Sequence, residues 1–194
     1  MITYVYYPDN RLWKKLYSGG DTITYEYDNA GNMTSANNAS IAYAMTYDAF
    51  SRLKTVTANG RTIEYQYNAD GKRTQMKITP DNIAYTYAYN DNGILTTITT
   101  PQGNFTFTYD AANRRVSRTA PSGTTSTYSY NTTNRLTGIQ TTKGAITIDY
   151  TNYTQLDNVG NRKAKTTPQE SWTYDYDDIY RLTNATPTGG THQT

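Results

Sequence analysis

The sequence has no cysteine and one histidine, His192. That excludes disulfides, thiolate metal sites and any cysteine–histidine catalytic pair. A serine–histidine–aspartate triad would have to use His192, which stands in a Gly- and Thr-rich tail. Large aliphatic residues are also scarce: Leu, Ile, Val and Phe together number 26 of 194. No apolar run approaches the 18 residues a membrane helix needs, and the first twenty residues hold no apolar export core. Net charge is only +2, which gives no electrostatic case for nucleic acid. Low apolar content with high charge would suggest disorder, but here the charges nearly cancel. Tyr and Thr supply the missing mass, with 21 and 37 copies. Both suit a pleated, half-buried surface, so the composition is that of β-structure.

What is present is a phrase that returns. An aromatic anchor is followed by an acid or amide, two free positions, a small residue, a basic residue and Leu, as in Tyr47-Asp48-Ala49-Phe50-Ser51-Arg52-Leu53. Anchors fall at Tyr6, Tyr27, Tyr47, Tyr67, Tyr89, Tyr109, Tyr130, Leu156 and Tyr176. The steps between them are 21, 20, 20, 22, 20, 21, 26 and 20 residues. A fixed period of this size marks a repeat array. Residues 1–194 read as one array of about nine repeats, with 186–194 as an incomplete half-repeat or flexible tail.

With the anchor at position zero, +1 is Asp or Asn in eight copies and +4 is Gly or Asn in seven. That is the pattern of a type I turn closed by a left-handed residue, a common hairpin connection. Positions −2 and −4 are mostly large and apolar or aromatic, with polar residues between, as in Ile63-Glu64-Tyr65-Gln66-Tyr67. Period two means strand. The loop geometry pairs zero with +6, setting Tyr against Leu, and +1 with +5, setting Asp against Arg. Between the phrases lie further turn signals: 18–21, 59–60, 80–82, 101–103, 121–123, 143–144 and 168–169. Each repeat is thus two antiparallel strands, nine repeats give about 18 strands, and no helix is expected. The long step to Leu156 predicts a bulge or longer loop at Tyr150–Tyr153. Native twist is expected to curl the sheet with its Tyr/Leu face inward, and end strands invite edge-to-edge association.

The phrases Tyr25-Glu26-Tyr27-Asp28-Asn29-Ala30-Gly31 and Asn134-Arg135-Leu136-Thr137 resemble the YD repeat of the Rhs family. The resemblance recurs along the whole chain. The family spans Rhs toxins, shell components of insecticidal Tc toxins, bacterial wall-associated proteins and teneurins. It implies a spiral strand-turn-strand sheet that can enclose a polypeptide, in a secreted or cell-surface protein. It implies neighbouring repeats or an enclosed polypeptide as partners. Shell-type members carry an Asp-Pro motif tied to self-cleavage; this sequence has no Asp-Pro dipeptide, so no such activity is expected of it.

The functional expectation is therefore a non-catalytic structural module, with no cofactor and no metal. Asp175, Asp177 and Asp178 lie close together, but Asp177 reads as a turn corner like its counterparts. The alternative is a carbohydrate-binding or adhesion surface on the tyrosine-rich face: Tyr25, Tyr27, Tyr65, Tyr67, Tyr87, Tyr89, Tyr128, Tyr130, Tyr174 and Tyr176.

Overall fold

The computed structural model describes residues 1–189. It is all-β: eighteen antiparallel strands in one open sheet, with no helix among the described residues. The chain falls into two compact units, residues 1–88 with 99–101, and residues 89–98 with 102 onward. The first holds β1 (Ile2–Tyr6), β2 (Leu12–Tyr17), β3 (Thr22–Tyr27), β4 (Met33–Asn37), β5 (Ala42–Tyr47), β6 (Leu53–Ala58), β7 (Arg61–Tyr67), β8 (Arg73–Thr79) and nearly all of β9 (Ile83–Tyr89). The second holds most of β10 (Leu95–Thr100), then β11 (Gly103–Tyr109), β12 (Arg115–Thr119), β13 (Thr124–Tyr130), β14 (Leu136–Lys143), β15 (Ile146–Leu156), β16 (Arg162–Thr166), β17 (Ser171–Tyr176) and β18 (Leu182–Gly189). Residues 186–189 end β18; His192 lies outside the described residues.

All nine phrases form the expected reversal. At Asp48 the backbone N–H donates to the Arg52 carbonyl at 2.9 Å, and the Ser51 N–H returns to the Asp48 carbonyl at 3.0 Å. Position +4 has positive φ in every copy, from 58° at Ser51 to 103° at Gly160. Seven copies use Gly or Asn there, which tolerate the left-handed region. Ser51 and Tyr180 (φ 64°) do not. Tyr180 is also 59% exposed, so its side chain contributes little to offset the strain. Tyr180→Gly is expected to stabilise the chain by about 0.5–1 kcal/mol, the strain relieved less the added entropy of glycine. The readout is a higher thermal midpoint; a lower one would show the ring to be needed.

The anchor pairs with +6 as the loop geometry requires: Tyr6 with Leu12, Tyr47 with Leu53, Tyr130 with Leu136 and Tyr176 with Leu182. One step further the register slips. Position −1 pairs with +8, as in Thr46 with Thr55 and Ser129 with Gly138, so +7 is an extra residue. A bulge of this kind strengthens local twist and shifts which later residues share a face. Position −2 then meets +9: Tyr25 meets Ala36, Tyr65 meets Met76 and Tyr174 meets Ala185.

The bulge explains why the anchor is tyrosine and not phenylalanine. Six anchor hydroxyls cross to the +6 carbonyl of the preceding repeat, beside that repeat's bulge. Tyr27 donates to Leu12 (3.1 Å), Tyr47 to Met33 (2.8 Å), Tyr67 to Leu53 (2.8 Å), Tyr109 to Leu95 (2.7 Å), Tyr130 to Arg115 (2.9 Å) and Tyr176 to Arg162 (3.1 Å). Tyr47→Phe is expected to cost about 1 kcal/mol, the usual net value of one hydrogen bond. An unchanged urea midpoint would show that the hydroxyl is idle.

The sheet has no conventional core: no hydrophobic side chain among the described residues is buried. Cohesion must come from the ladders, from half-buried side chains and from bonds between repeats. On the face opposite the anchors, hydroxyls pair across strands, Thr46 with Thr55 at 2.6 Å and Thr108 with Ser117 at 2.6 Å. The expected bulge near Tyr150–Tyr153 is present, as a register shift between Asn152 and Gln155 inside β15. One reversal escaped the sequence reading. Between β4 and β5 the Asn38 carboxamide oxygen accepts from the N–H groups of Ser40 (2.9 Å) and Ile41 (2.7 Å), with neither Gly nor Pro in the turn.

Candidate functional site

The aromatic face is built from positions 0, −2 and −4 on one strand of each hairpin and +6, +9 and +11 on the other. Strand alternation puts these side chains on one side, with the bulge accounting for the odd spacing. The ten tyrosines expected to form a recognition surface fall on this face, but most are engaged structurally. Rings meet at Tyr7, with Trp13 at 5.8 Å and Tyr27 at 6.3 Å. Elsewhere guanidinium groups lie over them: Arg52 over Tyr67 at 4.7 Å, Arg73 over Tyr65 at 4.8 Å and over Tyr87 at 6.0 Å. Arg114 covers Tyr130 at 4.8 Å and Arg115 covers Tyr128 at 4.6 Å. Each such contact contributes about 0.5–1 kcal/mol where water still reaches it. Burial pushes the Tyr27 and Tyr47 phenols above their usual range. Tyr25 lies against Ile23, Ala36 and Tyr43 in a shallow apolar hollow, and Tyr89 ends β9.

The +5 arginines also link turn to turn. Arg52 donates through Nε to the Asp48 carboxylate at 2.7 Å and through Nη1 to the Asn68 carbonyl of the next repeat at 3.1 Å. Arg11 reaches the Asp28 carbonyl at 2.9 Å and Arg135 the Asp157 carbonyl at 2.8 Å. The expected +1/+5 ion pairs stand at Asp48–Arg52, Asp110–Arg114 and Asp177–Arg181, each 2.7 Å. In the first repeat Tyr7 occupies the acid's place, and Asp9 takes Arg11 instead at 2.6 Å. Asp177 accepts from the Ile179 and Arg181 backbone, and Asp175 takes Lys163 at 3.2 Å. Those two carboxylates are committed to turn and strand. Among the described residues no group of three or more potential ligands is placed to hold a metal.

Of the ten tyrosines, Tyr174 and Tyr176 enter a cleft of about 350 Å3, with Tyr153, Arg162, Lys165 and Leu182. The sequence reading missed both cations. Their signal was Arg at +6, where five repeats carry Leu, and Lys at +9, where most carry an apolar residue.

Comparison with known proteins fits this geometry. The family model described as teneurin YD-shell matches residues 1–139. No curated protein matches the chain in sequence. Among solved structures, TcdB2-TccC3 superposes with a TM-score of 0.72 at 15% identity, covering 99% of this chain and 13% of that one. TcdB2-TccC3 without its hypervariable C-terminal region gives 0.72 at 16% identity, covering 100% and 12%. The Photorhabdus luminescens Tc holotoxin pore, with a mutated TccC3, gives 0.61 at 15% identity, covering 95% and 12%. Identities this low speak to the fold alone, and the chain spans about an eighth of those structures. The family match runs through well over half of the residues, and the chain belongs to the teneurin YD-shell family.

Proposed function

We propose that this chain is a stretch of the wall of a YD-repeat shell in a secreted or cell-surface protein, where it encloses or delivers a polypeptide. It works as a structural part, without catalysis. The observation that carries this reading is the stapling of repeats within each unit. Within each unit, tyrosine hydroxyls and arginine side chains tie hairpins to their neighbours through backbone carbonyls. A sheet held by ladders and staples, with no buried core, can extend repeat by repeat while both faces stay accessible. The Tc structures it resembles support the delivery reading by analogy of fold.

Limited proteolysis of the full-length protein tests it. A polypeptide carried in the same chain or complex should resist protease while the sheet is intact and become labile when the sheet is unfolded. Cleavage at equal rates in both states would overturn the wall reading. A second reading, carbohydrate binding on the aromatic face, draws support from the cleft alone, because elsewhere the rings are largely covered by arginine.

A further inference from the structure

We propose that Asn59 is a site of spontaneous covalent modification, converting through a cyclic imide to isoaspartate and aspartate, and that the fold singles it out for this. The sequence holds two Asn-Gly pairs, Asn59-Gly60 and Asn92-Gly93. Glycine matters here because no Cβ crowds the backbone nitrogen that must attack. The two pairs stand in different kinds of reversal. Asn92 and Gly93 are positions +3 and +4 of a phrase turn, and the Gly93 N–H donates to the Asn90 carbonyl at 2.7 Å. The same bond from +4 to +1 closes all nine phrase turns. It keeps the proton on the nitrogen and the nitrogen in place. The Asn92 carboxamide also reaches Asn113 Oδ1 at 3.5 Å.

Asn59 and Gly60 instead form a two-residue loop between β6 and β7, closed by the pairing of Ala58 with Arg61. Both have positive φ, 50° and 75°, as a type I′ turn requires. The Gly60 N–H makes no hydrogen bond, and the Asn59 carboxamide has no partner among the described residues. Both residues are exposed, and a Cβ on Gly60 would meet nothing within 4 Å. Nucleophile and electrophile are therefore both uncommitted. The Gly60 nitrogen bonds to Asn59 Cγ, the Cγ–Nδ2 bond breaks, and ammonia leaves with the proton from Gly60. Water then opens the imide. Opening at Cγ gives aspartate; opening at the main-chain carbonyl gives isoaspartate and one more backbone carbon in the loop. Either product sets a carboxylate two residues before Arg61, whose guanidinium holds Asp81 of the β8–β9 turn at 2.7 Å.

The test is peptide mapping by mass spectrometry of the full chain, aged at mildly alkaline pH, once folded and once in guanidinium chloride. Labelling by an isoaspartyl methyltransferase reports the isoaspartate. In the folded chain Asn59 should convert at least tenfold faster than Asn92. In denaturant the two rates should agree within about twofold, because both pairs then lie in open chain. Asn59→Gln should remove most of the methyl label from the folded chain. An Asn92 rate matching that of Asn59 in the folded chain would overturn the proposal, and so would a tenfold gap that persists in denaturant. Undiminished label in Asn59→Gln, or an Asn59 that reacts in denaturant and stays unconverted when folded, would do the same.

Discussion

Acidification from pH 6 to pH 2 is expected to lower the urea midpoint, with the loss beginning below about pH 4. Six turn carboxylates carry it. Side-chain bonds from Arg11 and Asn32 hold Asp9 and Asp28 below the ordinary carboxylate value of 3.8. Backbone N–H bonds from Arg114 and Arg181 do so first at Asp110 and Asp177, aided by their guanidinium groups. At Asp48 and Asp157 partial burial is the largest single influence and pushes upward. It is outweighed by the summed bonds from Arg52 and Phe50, and from Asn161, Gly160 and Val159. A folded pKa below the unfolded one means that the folded state holds its proton less tightly. The stabilisation is therefore complete above pH 3.8 and disappears as pH falls through the depressed folded values.

The chain contains its own control for this. Asn68, Asn90 and Asn131 occupy the same position and accept the same N–H from +5, at 2.8–2.9 Å. Asn keeps the turn and cannot titrate in this range. Replacing Asp28, Asp48, Asp110, Asp157 and Asp177 by Asn should leave the neutral-pH fold intact and flatten the acid limb. An urea midpoint that stays level from pH 6 to pH 2.5 in the unmodified chain would remove these carboxylates from the account of its stability.

Much of this was legible before any coordinates. The period, the turn chemistry and the 0/+6 pairing follow from local rules, because a three-residue loop with a left-handed last residue leaves little choice of register. Less legible was whatever depends on neighbouring repeats. Nothing in Tyr47-Asp48 says that the Tyr47 hydroxyl will find the Met33 carbonyl fourteen residues back. That bond follows from the bulge at +7, which has no residue signature: Trp13, Thr34, Lys54 and Val116 all occupy it. Ser51 and Tyr180 take left-handed backbone against their preference because the rest of the hairpin imposes it. The cleft was half legible. Tyr174 and Tyr176 lie in the regular pattern, whereas Tyr153 joins them only through the irregular register of β15.

Gly160→Ala is expected to damage the array by about 2–4 kcal/mol. Gly160 has φ 103°, and any L side chain there incurs about 1–2 kcal/mol of backbone strain. A Cβ would also lie 2.9 Å from Arg135 Nε and 3.0 Å from its Cζ. The guanidinium cannot yield without giving up its bonds to the Asp157 and Asn158 carbonyls, both 2.8 Å. Charge-assisted bonds of this kind contribute about 1.5–3 kcal/mol each when buried and less where water can replace them, as it can here. Gly31 separates the two effects. It occupies the same turn position with φ 87°, and a Cβ there meets nothing within 4 Å. Gly31→Ala should therefore cost the strain alone, about 1–2 kcal/mol. With Arg135 already replaced by Ala, Gly160→Ala should fall to that same value, and the double-mutant cycle should report the staple as the difference. Equal costs for Gly31→Ala and Gly160→Ala in the unmodified background would mean that the arginine staple adds nothing to the joint between repeats. The half-buried sheet would then be held by its ladders, its half-buried side chains and the tyrosine hydroxyl bonds.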